Sequence, residues 1–213
     1  MLIWEMIAHQ RRHLADLLDN LDEAQWRTPS LCTDWTVREV VGHLITPFAW
    51  GTAKFLLHLI IGGFNFDKTM SQAAQQLAQN PTDALVGTLR AHAETRWTPP
   101  GLGPEAPLTD IVIHTQDICR PLGISQSVDG ERARRILDFL VSHKARAITD
   151  PTWIAGLRLA PDDLDWVWGK GPEVRGTAEA VMMVLGGRTV VLDELTGAGA
   201  DQLRARFAAR QQP

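Results

Sequence analysis

The segment of residues 36–50 reads TVREVVGHLITPFAW and predicts a central helix of the fold. Thr36 is followed three residues later by Glu39 and then by two valines, which is the spacing of a capping box at a helix start. We expect this helix to continue to about Ile61. Pro47 lies inside it and removes one backbone hydrogen bond, so a kink or local loosening is expected there.

His43 lies on the inward face of this predicted helix, where Val40, Leu44 and Pro47 border it. A lone inward histidine is most often a core residue that is satisfied by one hydrogen bond. The alternative is a metal ligand that meets other ligands from a facing helix. The segment by itself leaves both interpretations open.

A second informative segment, residues 108–120, reads LTDIVIHTQDICR. Asp110, His114 and Asp117 are spaced i, i+4 and i+7, so a helix places them within about 60° of one another. A carboxylate and an imidazole one turn apart can ligate one divalent metal, although the same spacing also occurs in ordinary surface pairs. With His43 as a third ligand, one coordination position stays open for water or substrate.

The other histidines and the two cysteines are weaker candidates. We interpret His9 and His13 as solvent-facing and His92 as a competing inward residue that packs in the core, whereas His58 and His143 have no partner at ligand spacing. Neither cysteine has a basic neighbour that would clearly lower its pKa. We therefore interpret Cys32 and Cys119 as inert packing thiols.

Composition excludes several classes of protein. The 213 residues carry a net charge of −4, two cysteines and no tyrosine. The absence of a basic block argues against a nucleic-acid partner, and two cysteines are too few for a disulfide scaffold and suit a reducing cytoplasm. The N-terminus does not resemble a signal peptide. We interpret the apolar run of residues 47–64 as a buried helix, since a membrane span needs about 20 predominantly apolar residues.

The pattern along the chain predicts a mainly α protein with two parts. Helical periodicity dominates as far as Asp150, and short alternating segments separated by Gly and Asp follow. We expect a metal-binding helical bundle over 1–150 and a small α+β domain over 151–213, with helices near its end.

Three segments together resemble the mycothiol-dependent maleylpyruvate isomerase family of actinobacteria, within the DinB superfamily. They are LADLLDNLDEAQWRTPSLCTDWTVREVVGHL (14–44), IVIHTQDICRPLGI (111–124) and GLRLAPDDLDWVWGKGPEVRGTAEAVMMVLGGR (156–188). The resemblance extends over nearly the whole chain. It implies a DinB-like four-helix bundle followed by a small C-terminal domain, which agrees with the two parts expected from the pattern.

The resemblance also implies a site. The family's metal ligands correspond to His43, Asp110 and His114, with Asp110 one methylene shorter than the usual Glu. Asp117 would orient an imidazole, and Arg120 would contact an anionic group of the substrate or thiol. No side chain is assigned as catalytic beyond these.

The implied cofactors are a divalent metal, with zinc preferred over nickel or iron, and mycothiol. The partners expected are a small thiol and a small electrophilic substrate, without nucleic acid or membrane, in a cytoplasmic monomer or homodimer. The implied activity is a metal-dependent cis–trans isomerase or S-transferase that uses the thiol. Two alternatives remain: a metal-free bundle that binds a ligand or partner, and a metal-dependent hydrolase whose open position holds water.

Overall fold

The computed structural model describes residues 1–210 and is mainly helical. Its helices are α1 (Ile3–Leu18), α2 (Glu23–Trp26), α3 (Val37–Ala49), α4 (Gly51–Ile61), α5 (Phe66–Leu77), α6 (Thr82–Ala91), α7 (Glu105–Cys119), α8 (Gly130–Leu140), α9 (Pro151–Ile154), α10 (Ala178–Leu185) and α11 (Ala198–Arg210). Two 3-10 helices cover His143–Ala145 and Thr189–Glu194. The strands are β1 (Arg158–Leu159), β2 (Trp168–Gly169) and β3 (Glu173–Val174).

The chain divides into two compact units, residues 1–126 and 127–213. In the first unit, α1 packs against α6 and α7, and α3 packs against the same two helices. These four helices close a bundle, and α5 covers an outer side of α3. Because α3 and α7 are neighbours in the ring, side chains from both helices can meet in its interior.

The helix predicted from Thr36 begins as expected and ends earlier. Thr36 caps α3, and its backbone N–H donates to the Glu39 carboxylate at 2.8 Å, which confirms the capping box. The expected continuous helix to Ile61 is wrong, because α3 ends at Ala49 and the chain bends by 117° into α4. The break falls at Gly51, whose φ of +65° is left-handed and is easily adopted without a Cβ.

The prediction of a buried helix over residues 47–64 is also wrong for its second half. One face of α4 is in water, with Leu57 56% and Ile61 72% exposed. No single helix among residues 1–210 is long and apolar enough to cross a bilayer. The bent pair Val37–Ala49 and Ala53–Ile61 meets that criterion only by combined length and composition.

The second unit combines helices with a three-stranded sheet of order β2-β1-β3, in which β1 pairs antiparallel with β2 and parallel with β3. α8 packs against α10, and α11 packs against β3 and α9. The boundary expected at residue 150 therefore differs from the structural division after Gln126. The reason is that α8 buries its apolar residues within the second unit, whereas the change in sequence pattern at 150 marks only the beginning of the strands.

Candidate metal centre

Three predicted ligands from two neighbouring helices meet in the first unit. Nε2 of His43, on α3, lies 3.2 Å from Oδ1 of Asp110, on α7. Nε2 of His114, one turn further along α7, lies 3.4 Å from the same oxygen. The two imidazole rings are 4.7 Å apart, edge to face. Both histidines are largely buried, whereas 45% of the Asp110 side chain is exposed, so solvent reaches the cluster at the carboxylate.

The donor set fits a divalent ion. The ligand atoms of His43, Asp110 and His114 all lie within 4.8 Å of one another. Nitrogen and oxygen ligands bind zinc at about 2.0–2.2 Å in a tetrahedral arrangement, which separates two ligand atoms by about 3.3–3.5 Å. The distances of 3.2 and 3.4 Å from the Asp110 oxygen to the two imidazole nitrogens are close to that separation.

Asp117 lies on the opposite side of the His114 ring from Asp110. Its carboxylate is fully buried, and Oδ2 is 2.9 Å from Nδ1 of His114. When Nδ1 donates to this oxygen, Nε2 is the nitrogen whose lone pair faces Asp110. Asp117 thus has the position of the group that fixes the tautomer of a ligating histidine. In contrast, the buried Nδ1 of His43 has no hydrogen-bond partner among residues 1–210.

The charges of the cluster stabilise one another. Loss of hydration raises the pKa of Asp110, but attraction to His43 and hydrogen bonds from both histidines outweigh it and hold that pKa far below its ordinary value. Burial lowers the pKa of His114, but hydrogen bonds with Asp110, Asp117 and Cys32 reverse the effect and raise it well above 6.5. The protein without metal therefore keeps Asp110 ionised and favours protonated His114.

The loop before α3 contributes two side chains that surround the cluster. Sγ of Cys32 donates to Oδ2 of Asp117 at 3.1 Å and lies 3.6 Å from Nδ1 of His114. The ring of Trp35 lies 5.3 Å from that of His43. A backbone hydrogen bond of 3.1 Å from Leu31 to the carbonyl of Asp117 ties this loop to α7. The loop residues Pro29–Thr36 also line an open cavity of about 480 Å³.

The interpretation of Cys32 as a packing thiol is incomplete, because its thiol is hydrogen-bonded beside the cluster, whereas Cys119 is fully buried as expected. Cys32, His114 and Asp117 form a second group of possible ligand atoms within 4.8 Å. The sequence could not reveal this contact by spacing, because 82 residues separate Cys32 from His114.

Arg11 is a second residue that the sequence did not single out. Its side chain, on α1, is buried, and Nη1 donates to the carbonyls of His92, Ala93 and Thr95 at 3.1, 3.2 and 2.8 Å. Burial lowers the pKa of Arg11 to about 10, and the negative charge of Asp110 offsets part of that effect. Arg11 thus links the end of α6 electrostatically to the ligand cluster.

The remaining histidines lie outside the cluster. His9 and His13 are exposed and stack on each other, and His92 stacks on Phe48 with 4.9 Å between ring centres. Arg120, the predicted anion contact, follows α7 as its C-terminal cap. It lies six residues beyond His114, which is about 9 Å along the helix axis.

One family model matches part of the chain. Residues 7–56 match the family model described as the mycothiol maleylpyruvate isomerase N-terminal domain. No curated protein sequence matches the chain significantly.

Two solved structures share the fold. A crystal structure of a mutant of the mycothiol-dependent maleylpyruvate isomerase aligns with a TM-score of 0.58 at 16% identity, over 93% of this chain and 92% of that chain. A second crystal structure of the mycothiol-dependent maleylpyruvate isomerase gives a TM-score of 0.55 at 15% identity over the same shares. With the match to residues 7–56, they confirm the resemblance to the mycothiol-dependent maleylpyruvate isomerase family that the sequence predicts.

Proposed function

We propose that this protein is a metal-dependent enzyme that uses a small thiol, mycothiol, to isomerise or modify a small electrophilic substrate. The observation that carries the proposal is the approach of two imidazole nitrogens to one Asp110 oxygen, at 3.2 Å from His43 and 3.4 Å from His114. A core histidine needs only one hydrogen bond, whereas two histidines and a carboxylate from facing helices form a metal-binding set.

His43, Asp110 and His114 would hold the ion, with zinc preferred and nickel or iron(II) as alternatives. The ion would supply a positive charge that binds the sulfur of the thiol and favours its thiolate form. Asp117 accepts a hydrogen bond from Nδ1 of His114 and so keeps Nε2 directed toward Asp110. Cys32 donates to the same Asp117 oxygen and helps hold that carboxylate in place.

The reactive sulfur would come from the small molecule. The chain has no tyrosine and only two cysteines. Cys119 is fully buried, and the Cys32 thiol is hydrogen-bonded to Asp117. Both thiols thus have packing or bonding roles in the fold, which leaves the thiol ligand as the proposed nucleophile.

The thiolate would act in one of two ways. As an isomerase, it adds to one carbon of an activated cis double bond, the resulting single bond rotates, and elimination releases the thiolate and the trans alkene. As an S-transferase, the sulfur–carbon bond persists and a proton replaces the negative charge on the product. In both cases Arg120 would contact a carboxylate of the substrate or thiol, as the family resemblance implies.

Metal content tests the first half of the proposal. Protein purified without a histidine tag should carry close to one divalent ion per chain, measured by inductively coupled plasma mass spectrometry. His43→Ala should lose most of it, while His92→Ala, which changes a histidine outside the cluster, should keep it. Less than about a tenth of an ion per wild-type chain would favour the metal-free binding bundle.

Thiol dependence tests the second half. Purified protein should convert a maleylpyruvate-type cis alkene to its trans isomer, or attach the thiol to an electrophile, only when mycothiol is added. The rate should fall at least about 100-fold in His43→Ala. An activity that is independent of thiol and consumes water would instead support the hydrolase alternative.

A further inference from the structure

The strongest feature outside the ligand cluster is an apolar face on α4 and the turn after it. Six large side chains are more than half or about half exposed there: Leu56 at 50%, Leu57 at 56%, Ile60 at 58%, Ile61 at 72%, Phe64 at 74% and Phe66 at 55%. We call them the α4 face. Residues 56, 57, 60 and 61 follow helical spacing and form one continuous stripe.

The opposite side of α4, with Phe55, His58 and Leu59, is half-buried. The ring of Phe55 contacts Phe66 edge to face at 5.5 Å, and His58 lies 4.4 Å from the ring of Trp50. α4 also packs against α5. The half-buried side of α4 thus lies toward α3 and α5, and the stripe is its most exposed side.

The α4 face is large for an exposed surface. Aromatic side chains have about 150–250 Å² each and Leu and Ile somewhat less, so the two Phe and four aliphatic residues together leave on the order of 700 Å² in water. Monomeric proteins rarely expose an apolar patch larger than a few hundred Å². A stable interface buries about 800 Å² on each partner, so the α4 face nearly supplies one half of such an interface.

The charged residues near the α4 face indicate which kind of partner covers it. Between Trp50 and Phe66 the chain has a single charged side chain, Lys54, whose ammonium lies over the ring of Trp50 at 4.6 Å. A helix that binds a membrane surface carries several Lys and Arg residues on its polar face, and α4 does not. A face without unpaired charges can instead meet a copy of itself, because a two-fold interface places the same surface on both partners.

We propose that the α4 face is the interface of a homodimer, formed by two copies of α4 and the following turn about a two-fold axis. The association buries the most apolar run of the chain, which a single copy leaves in water. It is independent of the proposed metal chemistry, because none of the six residues is a proposed ligand.

The experiment measures the mass of the protein in solution. Sedimentation velocity of the full chain should give a dimer at micromolar concentration. Leu57→Glu places a charge at the centre of the face and should weaken dimerisation by on the order of 100-fold, because two like charges are then buried together. Val190→Glu is the matched control, since Val190 is 59% exposed in the other unit and should leave the dimer intact.

Mixing two variants guards against a simple folding defect. Leu57→Glu and Leu57→Lys should each be monomeric, with the wild-type circular dichroism spectrum, and should form a heterodimer when mixed. The proposal is overturned if the wild-type chain is monomeric at about 100 μM, or if folded Leu57→Glu dimerises like the wild type. Monomeric wild-type protein that sediments with phosphatidylserine vesicles would overturn it in favour of a membrane surface.

Discussion

At the scale of single residues, the hydrogen bond to Asp117 determines which nitrogen of His114 faces Asp110. The carboxylate is fully buried and accepts from Nδ1 of His114 at 2.9 Å and from Sγ of Cys32 at 3.1 Å. The Cys32 thiol also lies near Nδ1 of His114, at 3.6 Å, but Asp117 makes the shorter contact. Asp117 is therefore a positioning residue for the proposed metal ligand His114.

Asp117→Asn should lower metal affinity about 10–100-fold, because groups that orient a ligating histidine typically contribute that much. Competition with a chromophoric chelator measures the affinity. Asp16→Asn, which alters an exposed carboxylate paired with Arg90, is the control and should bind metal like the wild type. Unchanged affinity in folded Asp117→Asn would remove Asp117 from the site.

The pKa of His114 predicts how the stability of the metal-free protein depends on pH. Its hydrogen bonds with Asp110, Asp117 and Cys32 raise that pKa well above 6.5 in the folded state. Protonated His114 therefore stabilises the folded state, fully so below about pH 6.5. This stabilisation is lost as the pH rises through the pKa that His114 has in the folded protein.

We expect the free energy of unfolding, measured in urea with a chelator, to fall as the pH rises above about 6.5. The fall should be smaller in His114→Gln, which cannot titrate, and unchanged in His13→Gln, which alters an exposed histidine. Equal pH dependence in His114→Gln and the wild type would contradict the raised pKa.

The sequence predicted which residues of α7 share a face, because helical spacing alone determines it. It did not predict the contact of Cys32 with Asp117 or the burial of Arg11. Both depend on where a loop or a neighbouring helix lies after folding, and residues that are 81 or more positions apart carry no periodic pattern.

At the scale of elements, the packing of α3 on α5 holds His43 in place. A Cβ added to Gly42 would lie 2.4 Å from the backbone oxygen of Ala74, on α5. Real Cβ atoms do not approach a backbone oxygen so closely, so α3 and α5 can pack at this distance only because residue 42 has no side chain. The residue next to His43 is thus constrained by packing rather than by chemistry.

Gly42→Ala should destabilise the protein by about 1–3 kcal/mol, the usual cost of overpacking, although Ala favours a helix. Gly87→Ala is the control, because α6 has open space around that Cβ among the described residues. It should stabilise the protein by about 0.5–1 kcal/mol. Urea denaturation of both variants measures the difference, and two changes of the same sign would contradict the packing argument.

Local rules predicted the beginning of α3 and failed at its end. The capping box of Thr36 and Glu39 is local and was confirmed. The sequence predicted the distortion at Pro47, whereas the chain bends at Gly51. Pro47 lies in the last turn of α3, two residues before its end at Ala49, and which residue bends the chain depends on how α4 packs against α5.

At the scale of the whole molecule, the first unit contains all three proposed ligands. His43 lies on α3 and the other two on α7, and both helices belong to residues 1–126. The sequence pattern changes at residue 150, after α8, so it could not show that α8 packs with α10 in the second unit.

Metal binding should stabilise the whole protein. A ligand present at 100 times its Kd adds about 2.7 kcal/mol. For a chain of this size that corresponds to a rise of about 5–10 °C in the thermal midpoint. Differential scanning calorimetry with and without zinc should show the rise in the wild type and none in His43→Ala. A midpoint that zinc leaves unchanged in the wild type would contradict binding at the cluster.

The measurement that tests the central claim most directly is the absorption spectrum of the cobalt-substituted protein during titration with mycothiol. Cobalt replaces zinc and reports its ligands, so a sulfur ligand adds an absorption band in the near ultraviolet. We predict that this band grows with thiol and saturates at one equivalent per chain, and that His43→Ala, which should not retain the ion, shows none. A cobalt spectrum that mycothiol leaves unchanged would contradict the account.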